Sequence, residues 1–382
     1  MRRLVLLASA IVLVDTMFYA VVAPLLPTYA DELGLSDAQA GVLAGAYPAG
    51  TLLGSLPAGW LAARFGARDT VLAGLALLSA ASLAFGFGEH VLVLDVARFV
   101  QGVGGACTWA GALTWLIVRA PADRRGELIG TALGAAIAGS IGGPVVGAVA
   151  EALGPRLVFG LVVVVAAVLA GWALRTEPAG TQEVQGVGDV VRALRDRDVA
   201  VSMWLVALPA AAFGAISVIG ALRLDHLGAG AAAVAATFLV AAAVEATLSP
   251  LVGRLSDRRG RMVPIRAGLV ASAAVMVLFT LPRHALVLAL VMVAVSAALA
   301  LFWAPSMAML SDAADATGLH LGLGFALTNL AWAAGQMAGS AGGGALADAA
   351  GEAVAPLVVA ALALATLGLL AAGRARAAAA RA

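Results

Sequence analysis

Long, unbroken apolar stretches constrain the fold of this chain more than any other feature. A helix needs about 20 apolar residues to cross a bilayer, because lipid offers no partners for backbone polar groups. Only 12% of the 382 residues are charged, about half the share found in soluble domains. Membrane-spanning strands fit poorly, since their apolar residues alternate with polar ones. The sequence therefore predicts an all-α integral membrane protein with twelve spans, at about 4–28, 40–62, 70–88, 91–118, 128–150, 157–175, 199–222, 229–252, 263–281, 285–310, 321–346 and 353–373.

The distribution of arginine predicts the orientation of these spans. Nineteen of the 23 arginines fall in segments that a twelve-span topology puts on one side, three fall on the other, and Arg98 lies inside a span. Positive residues favour the cytoplasmic side, so we expect a multi-pass protein of a plasma membrane (a bacterial inner membrane) with both termini cytoplasmic. The net charge of +1 gives no indication of nucleic-acid binding. The first apolar run contains Asp15 and two prolines, and we interpret it as a span rather than a secretion signal.

A glycine-arginine loop signature occurs twice, at Gly59–Gly66 and at Gly253–Gly260, 194 residues apart. Each copy lies in a break between apolar stretches, which indicates a duplicated architecture whose halves move against each other. The one long polar interval, 176–198, separates six spans from six. We therefore predict an N-terminal six-helix bundle at 1–175, a cytoplasmic linker at 176–198 and a C-terminal six-helix bundle at 199–382. Part of the linker, Asp189–Arg195, is expected to form a short helix on the membrane surface.

The residue inventory argues against enzymatic and metal chemistry. Cys107 is the only cysteine, so one chain offers neither a disulfide nor a cysteine metal site. The four histidines fall at loops or span ends and form no cluster, and no nucleophile–base pair occurs within the spans. We expect no cofactor other than a proton gradient.

Four motifs, in order along the chain, resemble those of the major facilitator superfamily. The two loop signatures are similar to its loops between helices 2 and 3 and helices 8 and 9. Residues 98–106 resemble its Arg-x-x-Gln-Gly motif in helix 4. Within the superfamily, the resemblance is to the twelve-helix drug:proton antiporters, whose Gly-Pro antiporter motif in helix 5 is matched by Gly139, Gly143, Pro144 and Gly147. The resemblance covers essentially the whole chain and implies two pseudo-symmetric six-helix bundles.

The same resemblance assigns the loop signatures to a conformational gate, with Gly59, Arg64, Gly66, Arg68, Gly253, Asp257, Arg258 and Gly260 as its residues. The family usually has an aspartate at the position of Ala63, and that acid helps to latch the cytoplasmic side shut. We hypothesise that Arg64 and Arg68 instead pair with Asp312 and Asp315, in the loop before span eleven. The alternative is that all four are solvated charges that contribute little.

Ionisable residues inside spans are costly and therefore functional candidates. Asp15 lies near the middle of the first span, in a context similar to helix 1 of drug and vesicular amine antiporters, and Arg98 is its expected cation. The pair is predicted either to act as a proton switch or to be a fixed structural ion pair. Asp95, one turn before Arg98, is a competing partner. Glu245, toward the cytoplasmic half of span eight, is predicted to be a second proton carrier or a counter-charge for a cationic substrate. The alternative is an acid that is bound to a helix backbone or wetted by the inner vestibule.

Polar and aromatic residues on two spans suggest a substrate cavity. Asn329, Trp332 and Gln336 are spaced to share one helix face, which favours binding of amphiphilic organic molecules. Interhelical hydrogen bonding is the alternative for these residues and for Gln101. Phe18 and Tyr19, close to Asp15, are expected to complete the cavity, whereas Trp109 and Trp115 are expected to pack or to lie at an interface.

These features predict a secondary transporter that exports amphiphilic or cationic organic compounds in exchange for protons, by alternating access. Its partners are a small-molecule substrate, protons and the lipid bilayer, and a monomer suffices for this architecture. Two alternatives stay open at this point. One is transport of a narrow metabolite such as a sugar or amino acid, and the other is a membrane sensor that kept the fold but lost transport.

Overall fold

A computed structural model describes residues 1–121, 124–180, 187–319 and 321–379. In these residues the chain forms helices and no strand. Their bounds are α1 Arg2–Ala20, α2 Val22–Leu33, α3 Asp37–Phe65, α4 Ala67–Phe87, α5 Val91–Arg119, α6 Arg125–Leu153, α7 Pro155–Leu174, α8 Val187–Leu194, α9 Arg197–His226, α10 Ala231–Arg259, α11 Met262–Phe279, α12 Ala285–Ala316, α13 Leu321–Ala350 and α14 Val354–Ala379. Helices α1 and α2 together form one span, and α8 is too short to cross a membrane. Each of the other helices, α3 to α7 and α9 to α14, forms one unit, so twelve membrane-length units match the twelve predicted spans.

Ten of these units are both long and apolar enough to cross a membrane by length and composition. The other two, α3 and α13, are 29 and 30 residues long but less apolar. These two helices pack against each other across the two halves. Their lower hydropathy is therefore consistent with a position inside the protein rather than against lipid.

Proline and glycine explain where several helices bend or end. The first span breaks at Val21, three residues before Pro24, whose ring nitrogen cannot donate to the carbonyl of Ala20. Gly66 ends α3 with a φ of 99°, and Gly260 ends α10 with a φ of 85°. These backbone angles favour glycine, which gives a structural reason for the last glycine in each copy of the loop signature.

The helices pair in the same way in both halves. In the first half, the span formed by α1 and α2 packs on α6, α3 packs on α5, and α4 packs on α7. In the second half, α9 packs on α13, α10 on α12, and α11 on α14. The two halves are thus pseudo-symmetric six-helix bundles, which confirms the predicted fold class. The linker boundaries 176–198 stay a prediction, and residues 181–186 lie outside the described residues.

Two stripes of glycine allow close helix approach at equivalent places. A Cβ atom on Gly143 would lie 2.5 Å from the Ala20 side chain, and one on Gly139 would lie 2.4 Å from the Leu13 carbonyl. The second stripe follows the first by 196 residues and lies on α13 against α9, at Gly335, Gly339 and Gly343. Backbone contact of this kind is how small residues drive helix association in membranes. The predicted antiporter motif is therefore, at least, a packing surface for the first span.

The halves meet through α3 and α13, with further contacts of α2 with α9 and of α6 with α10. We call the side that carries most arginines the inner side and the opposite side the outer side. At the outer end, a Cβ atom on Gly344 would lie 2.3 Å from the Asp37 carbonyl. The side chain of Phe325, near the inner end of α13, packs against the core of the first half.

Candidate functional site

Asp15 is held inside the first half by two hydrogen-bond donors. The Tyr47 hydroxyl donates to Oδ2 at 3.0 Å and the Trp109 indole N–H donates to the same oxygen at 2.9 Å. Asp15 is 1% exposed, and its Oδ1 has no hydrogen-bond partner in the part of the chain that the structure describes. Gly105 leaves room for this arrangement, since a Cβ there would lie 2.3 Å from the Tyr47 hydroxyl. The carboxyl group is therefore an acceptor with one oxygen still available for a proton.

Arg98 does not pair directly with Asp15, which corrects the predicted ion pair. Its guanidinium donates to the carbonyls of Phe18 and Tyr19, both at 3.2 Å, and to Gln101 Oε1 at 2.9 Å. The reason is the break in the first span, because the last carbonyls of α1 carry the negative end of the helix dipole and attract a cation. The ion pairs of the described residues do not join Arg98 to Asp95 either.

Tyr47 connects the two ionisable groups. Its ring centroid lies 4.9 Å from the Arg98 guanidinium carbon, while its hydroxyl donates to Asp15. Tyr47 is thus in contact with both ionisable groups, and Arg98 in turn contacts the end of α1.

Two predicted cavity residues lie inside the first half instead. Gln101 is fully buried and donates to the Ser82 hydroxyl at 3.1 Å while it accepts from Arg98. Phe18 is buried against Phe159, with ring centroids 5.9 Å apart. Neither side chain is free to line a cavity, because the polar network and the aromatic core of the bundle already use them.

The other predicted cavity residues lie between the halves. Tyr19 contacts Trp332 across the interface, with ring centroids 5.2 Å apart in an edge-to-face arrangement, and it also contacts Tyr47 at 5.1 Å. Asn329 and Trp332 are half-buried. Gln336 is 3% exposed, and its Oε1 has no hydrogen-bond partner among the described residues. An aromatic contact and an unused amide oxygen thus lie on the α13 face that we predicted.

Glu245 lies on α10, in the other half of the molecule. It is fourteen residues from each end of that helix, and its predicted place toward the cytoplasmic half of the apolar stretch stays a prediction. The side chain is half-buried, lies beside the Trp303 indole, and is within electrostatic range of the Tyr19 hydroxyl. The ion pairs of the described residues include none to Glu245. An acid within a membrane helix is costly, which makes Glu245 a candidate for a functional role.

The predicted latch residues pair differently in this structure. Asp312 accepts from Arg261 at 2.5 Å rather than from Arg64. Arg64 instead lies 5.5 Å from the ring centroid of Trp60 and 5.8 Å from that of Phe65. The physical reason is proximity, because Arg261 also donates to the Ala308 carbonyl, one turn before Asp312 on α12. Of the remaining gate residues, Arg68 pairs with Asp69, whereas Asp257, Arg258 and Asp315 are exposed.

Comparison with known proteins places this architecture in a family. The profile of the Major Facilitator Superfamily matches residues 8–335 and, in a second match, 225–381. The chain belongs to the major facilitator superfamily. As in other members of this superfamily, the all-helical fold with two halves is that of a transporter and not of an enzyme.

Several superfamily members are similar to this chain. A chloramphenicol resistance protein of Streptomyces lividans is 30% identical over 273 residues, which cover 69% of each protein. The quinolone resistance protein NorA of Staphylococcus aureus (strain Mu50 / ATCC 700699) is 25% identical over 109 residues, 28% of each chain. The MFS-type transporter ppzB of Metarhizium rileyi (strain RCEF 4871) is 29% identical over 122 residues, and the match spans 31% of this chain and about a quarter of that relative's length.

Two solved structures of this superfamily share the fold. A bacterial homologue of the human lysosomal transporter Spinster, solved in an inward-facing and unoccupied conformation, superposes with a TM-score of 0.75 at 15% identity. The alignment covers 96% of this chain and 95% of that one. A D-xylose–proton symporter superposes with a TM-score of 0.68 at 18% identity, and covers 94% and 96% of the two chains.

Three residues that contact Asp15 or Glu245 were not predicted from the sequence. These are Tyr47, Trp303 and Trp109, of which Trp109 was expected to pack or to lie at an interface. Their partners Asp15 and Glu245 lie on other helices, so helical spacing gives no signal for these contacts. An indole or phenol near mid-span, which needs a buried hydrogen-bond partner, is the one signal that the sequence offered.

Proposed function

We propose that this major facilitator transporter exports cationic or amphiphilic organic compounds in exchange for protons. The observation that carries the proposal is the position of Glu245, at the middle of a membrane helix, beside an indole and without an arginine partner among the described residues. A proton and a cationic substrate neutralise such a carboxylate equally well, but not at the same time. Competition of this kind is the simplest chemical basis for exchange.

The aromatic residues around Glu245 indicate the class of substrate. Tyr19, Trp332 and Trp303 offer ring faces and edges that attract organic cations. The unused Gln336 oxygen adds one acceptor for an amine or hydroxyl hydrogen. The proposal therefore favours a molecule with one positive charge and an apolar body over a multiply charged anion.

Asp15 is assigned to coupling rather than to substrate binding. It lies behind Tyr47, inside the first half, where a bulky substrate has no access. Protonation of its free Oδ1 would weaken the attraction that two donors and the Arg98 charge exert on the carboxylate. The strength with which Arg98 binds the last carbonyls of α1 would then change, and the bend of the first span would change with it. In this proposal, the change in the first span leads to rocking of the two bundles, which exposes the site to one side of the membrane at a time.

The relatives and the arginine distribution support the direction and the location. Two of the similar proteins are named for resistance to chloramphenicol and to quinolones, which fits export of organic compounds. The excess of arginine on one side supports a bacterial inner membrane location with both termini in the cytoplasm. The predicted domain boundaries, 1–175 and 199–382, are consistent with the helix pairing in each half.

Transport in proteoliposomes with an imposed pH gradient tests the proposal. The substrates are a lipophilic cation such as tetraphenylphosphonium, a neutral organic compound and a sugar. We expect the native protein to accumulate the cation with proton counterflow, Glu245→Gln to lose cation transport, and Asp15→Asn to retain cation binding but lose accumulation against a gradient. Asp31→Asn, which changes an exposed acid on α2, is the matched control and should behave like the native protein.

Transport of the sugar alone, with no response to the cation, would contradict the proposal and favour a narrow metabolite transporter. A protein that binds the cation but moves none of the three substrates would instead favour a sensor. In both cases the fold and family would stand.

A further inference from the structure

A groove at the inner end of α10 lies apart from Asp15, Tyr19 and Trp332, although one of its residues, Arg258, belongs to the predicted conformational gate. It has a volume of about 410 Å³ and is lined by Leu251, Arg254, Leu255, Arg258 and Arg259. These residues recur at intervals of three and four, so they form one face of the last two turns of the helix. Asp257 is the acid within this segment, and its position in the helical repeat lies off that face. The groove thus combines three guanidinium groups with two apolar side chains.

Within the part of the chain that the structure describes, the three arginines of the groove have no acidic partner at ion-pair distance. The ion pairs among the described residues engage Arg68, Arg119, Arg124, Arg156, Arg192, Arg223 and Arg261 but none of the groove arginines. Arg261, which follows the helix directly, is already bonded to Asp312. Three neighbouring positive charges without counter-charges favour an external anion.

The length of α10 places these arginines at the membrane surface. A helix of 29 residues is about 43 Å long, whereas the hydrocarbon core of a bilayer is about 30 Å thick. With Glu245 at the middle of the helix, its last two turns lie at the level of the lipid headgroups. Leu251, at the membrane end of the groove, is 52% exposed and therefore accessible from the surface of the protein.

We propose that this groove binds an anionic phospholipid of the inner leaflet, with the arginines on the phosphate and the leucines along the first part of an acyl chain. Charge complementarity and depth together select this occupant. A soluble phosphate compound shares the headgroup chemistry but has no acyl chain that could contact the leucines. The arginines also contribute to orientation, but orientation needs only charge on one side and explains neither the shared face nor the apolar lining.

Lipid binding to the purified, delipidated full-length protein tests the proposal. Native mass spectrometry would count bound phosphatidylglycerol, with phosphatidylethanolamine of the same acyl chains for comparison. We expect the native protein to retain phosphatidylglycerol selectively. The affinity for this lipid should be at least about tenfold weaker in the triple variant Arg254→Gln/Arg258→Gln/Arg259→Gln. The matched control is Arg175→Gln/Arg195→Gln/Arg197→Gln, which removes the same charge from exposed arginines elsewhere on the inner side.

A second variant separates a lipid from a soluble anion. Leu251→Ser should weaken phosphatidylglycerol binding about threefold or more while the arginines remain, and inorganic phosphate should not displace the lipid. Equal binding by native protein and the groove variant would overturn the proposal, as would equal loss in the control variant. Full displacement by phosphate would also overturn it and indicate a soluble anion site.

Discussion

At the scale of single residues, Tyr47 joins the two buried charges of the first half. Its hydroxyl donates to Asp15 and its ring faces Arg98. The sequence predicted that Asp15 and Arg98 belong together, because both lie in the membrane and carry opposite charges. It did not predict the intermediary, because the contact depends on how α3 packs between α1 and α5.

Replacement of Tyr47 by phenylalanine tests this link. The change removes one of two donors to a buried carboxylate, a bond of about 1.5–3 kcal/mol. We expect proton-coupled transport to fall at least about tenfold and the melting temperature to fall by several degrees. Tyr29→Phe is the matched control, since the Tyr29 hydroxyl is buried and has no hydrogen-bond partner among the described residues. Equal transport by Tyr47→Phe and the control would remove Tyr47 from the coupling path.

At the scale of helices, glycine determines which surfaces approach closely. The sequence-based prediction of helix number and order was confirmed because each span carries its own apolar signal. Two details were not predicted for physical reasons. The first span breaks near Pro24, and α10 continues past the apolar stretch that ends near 252 to Arg259, which puts Glu245 at its centre. The length of an apolar run reflects the thickness of the membrane, whereas the helix itself can extend beyond the run.

The stripe of glycines on α13 should be necessary for helix packing. A Cβ on Gly339 would lie 2.0 Å from the Ala211 carbonyl of α9, so Gly339→Ala forces the helices apart. We expect a loss of about 1–3 kcal/mol and a melting temperature lower by several degrees. Gly342→Ala on the same helix is the control, because nothing lies within 4 Å of a Cβ at that position. A melting temperature for Gly339→Ala equal to that of the control would contradict this packing account.

For the whole molecule, we propose that function depends on relative motion of the two bundles around Tyr19, Trp332 and Glu245. The outer ends of α3 and α13 are in backbone contact in this structure, at Asp37 and Gly344. The duplicated loops and the helix pairing show why the sequence was enough to predict two halves. It was not enough to predict the ion pairs at their inner ends, because Arg64 and Arg261 are equally basic and only the fold decides which reaches Asp312.

A larger residue at Gly344 should separate the outer ends. In Gly344→Val, the new side chain meets the Asp37 carbonyl, so arrangements open to the outside become more populated. We expect a cysteine introduced as Asp37→Cys, in a Cys107→Ser background, to react several-fold faster with a membrane-impermeant thiol reagent. Gly342→Val is the control. No difference between the two valine variants would show that this contact does not control outer access.

We propose that a proton and an organic cation compete for Glu245. Proton release on binding of tetraphenylphosphonium to the purified protein, in weakly buffered detergent solution, measures this competition directly. We expect binding to release protons from the native protein and from Asp15→Asn, whereas Glu245→Gln should show neither release nor tight binding. Cation binding and proton release that persist unchanged in Glu245→Gln would contradict this competition.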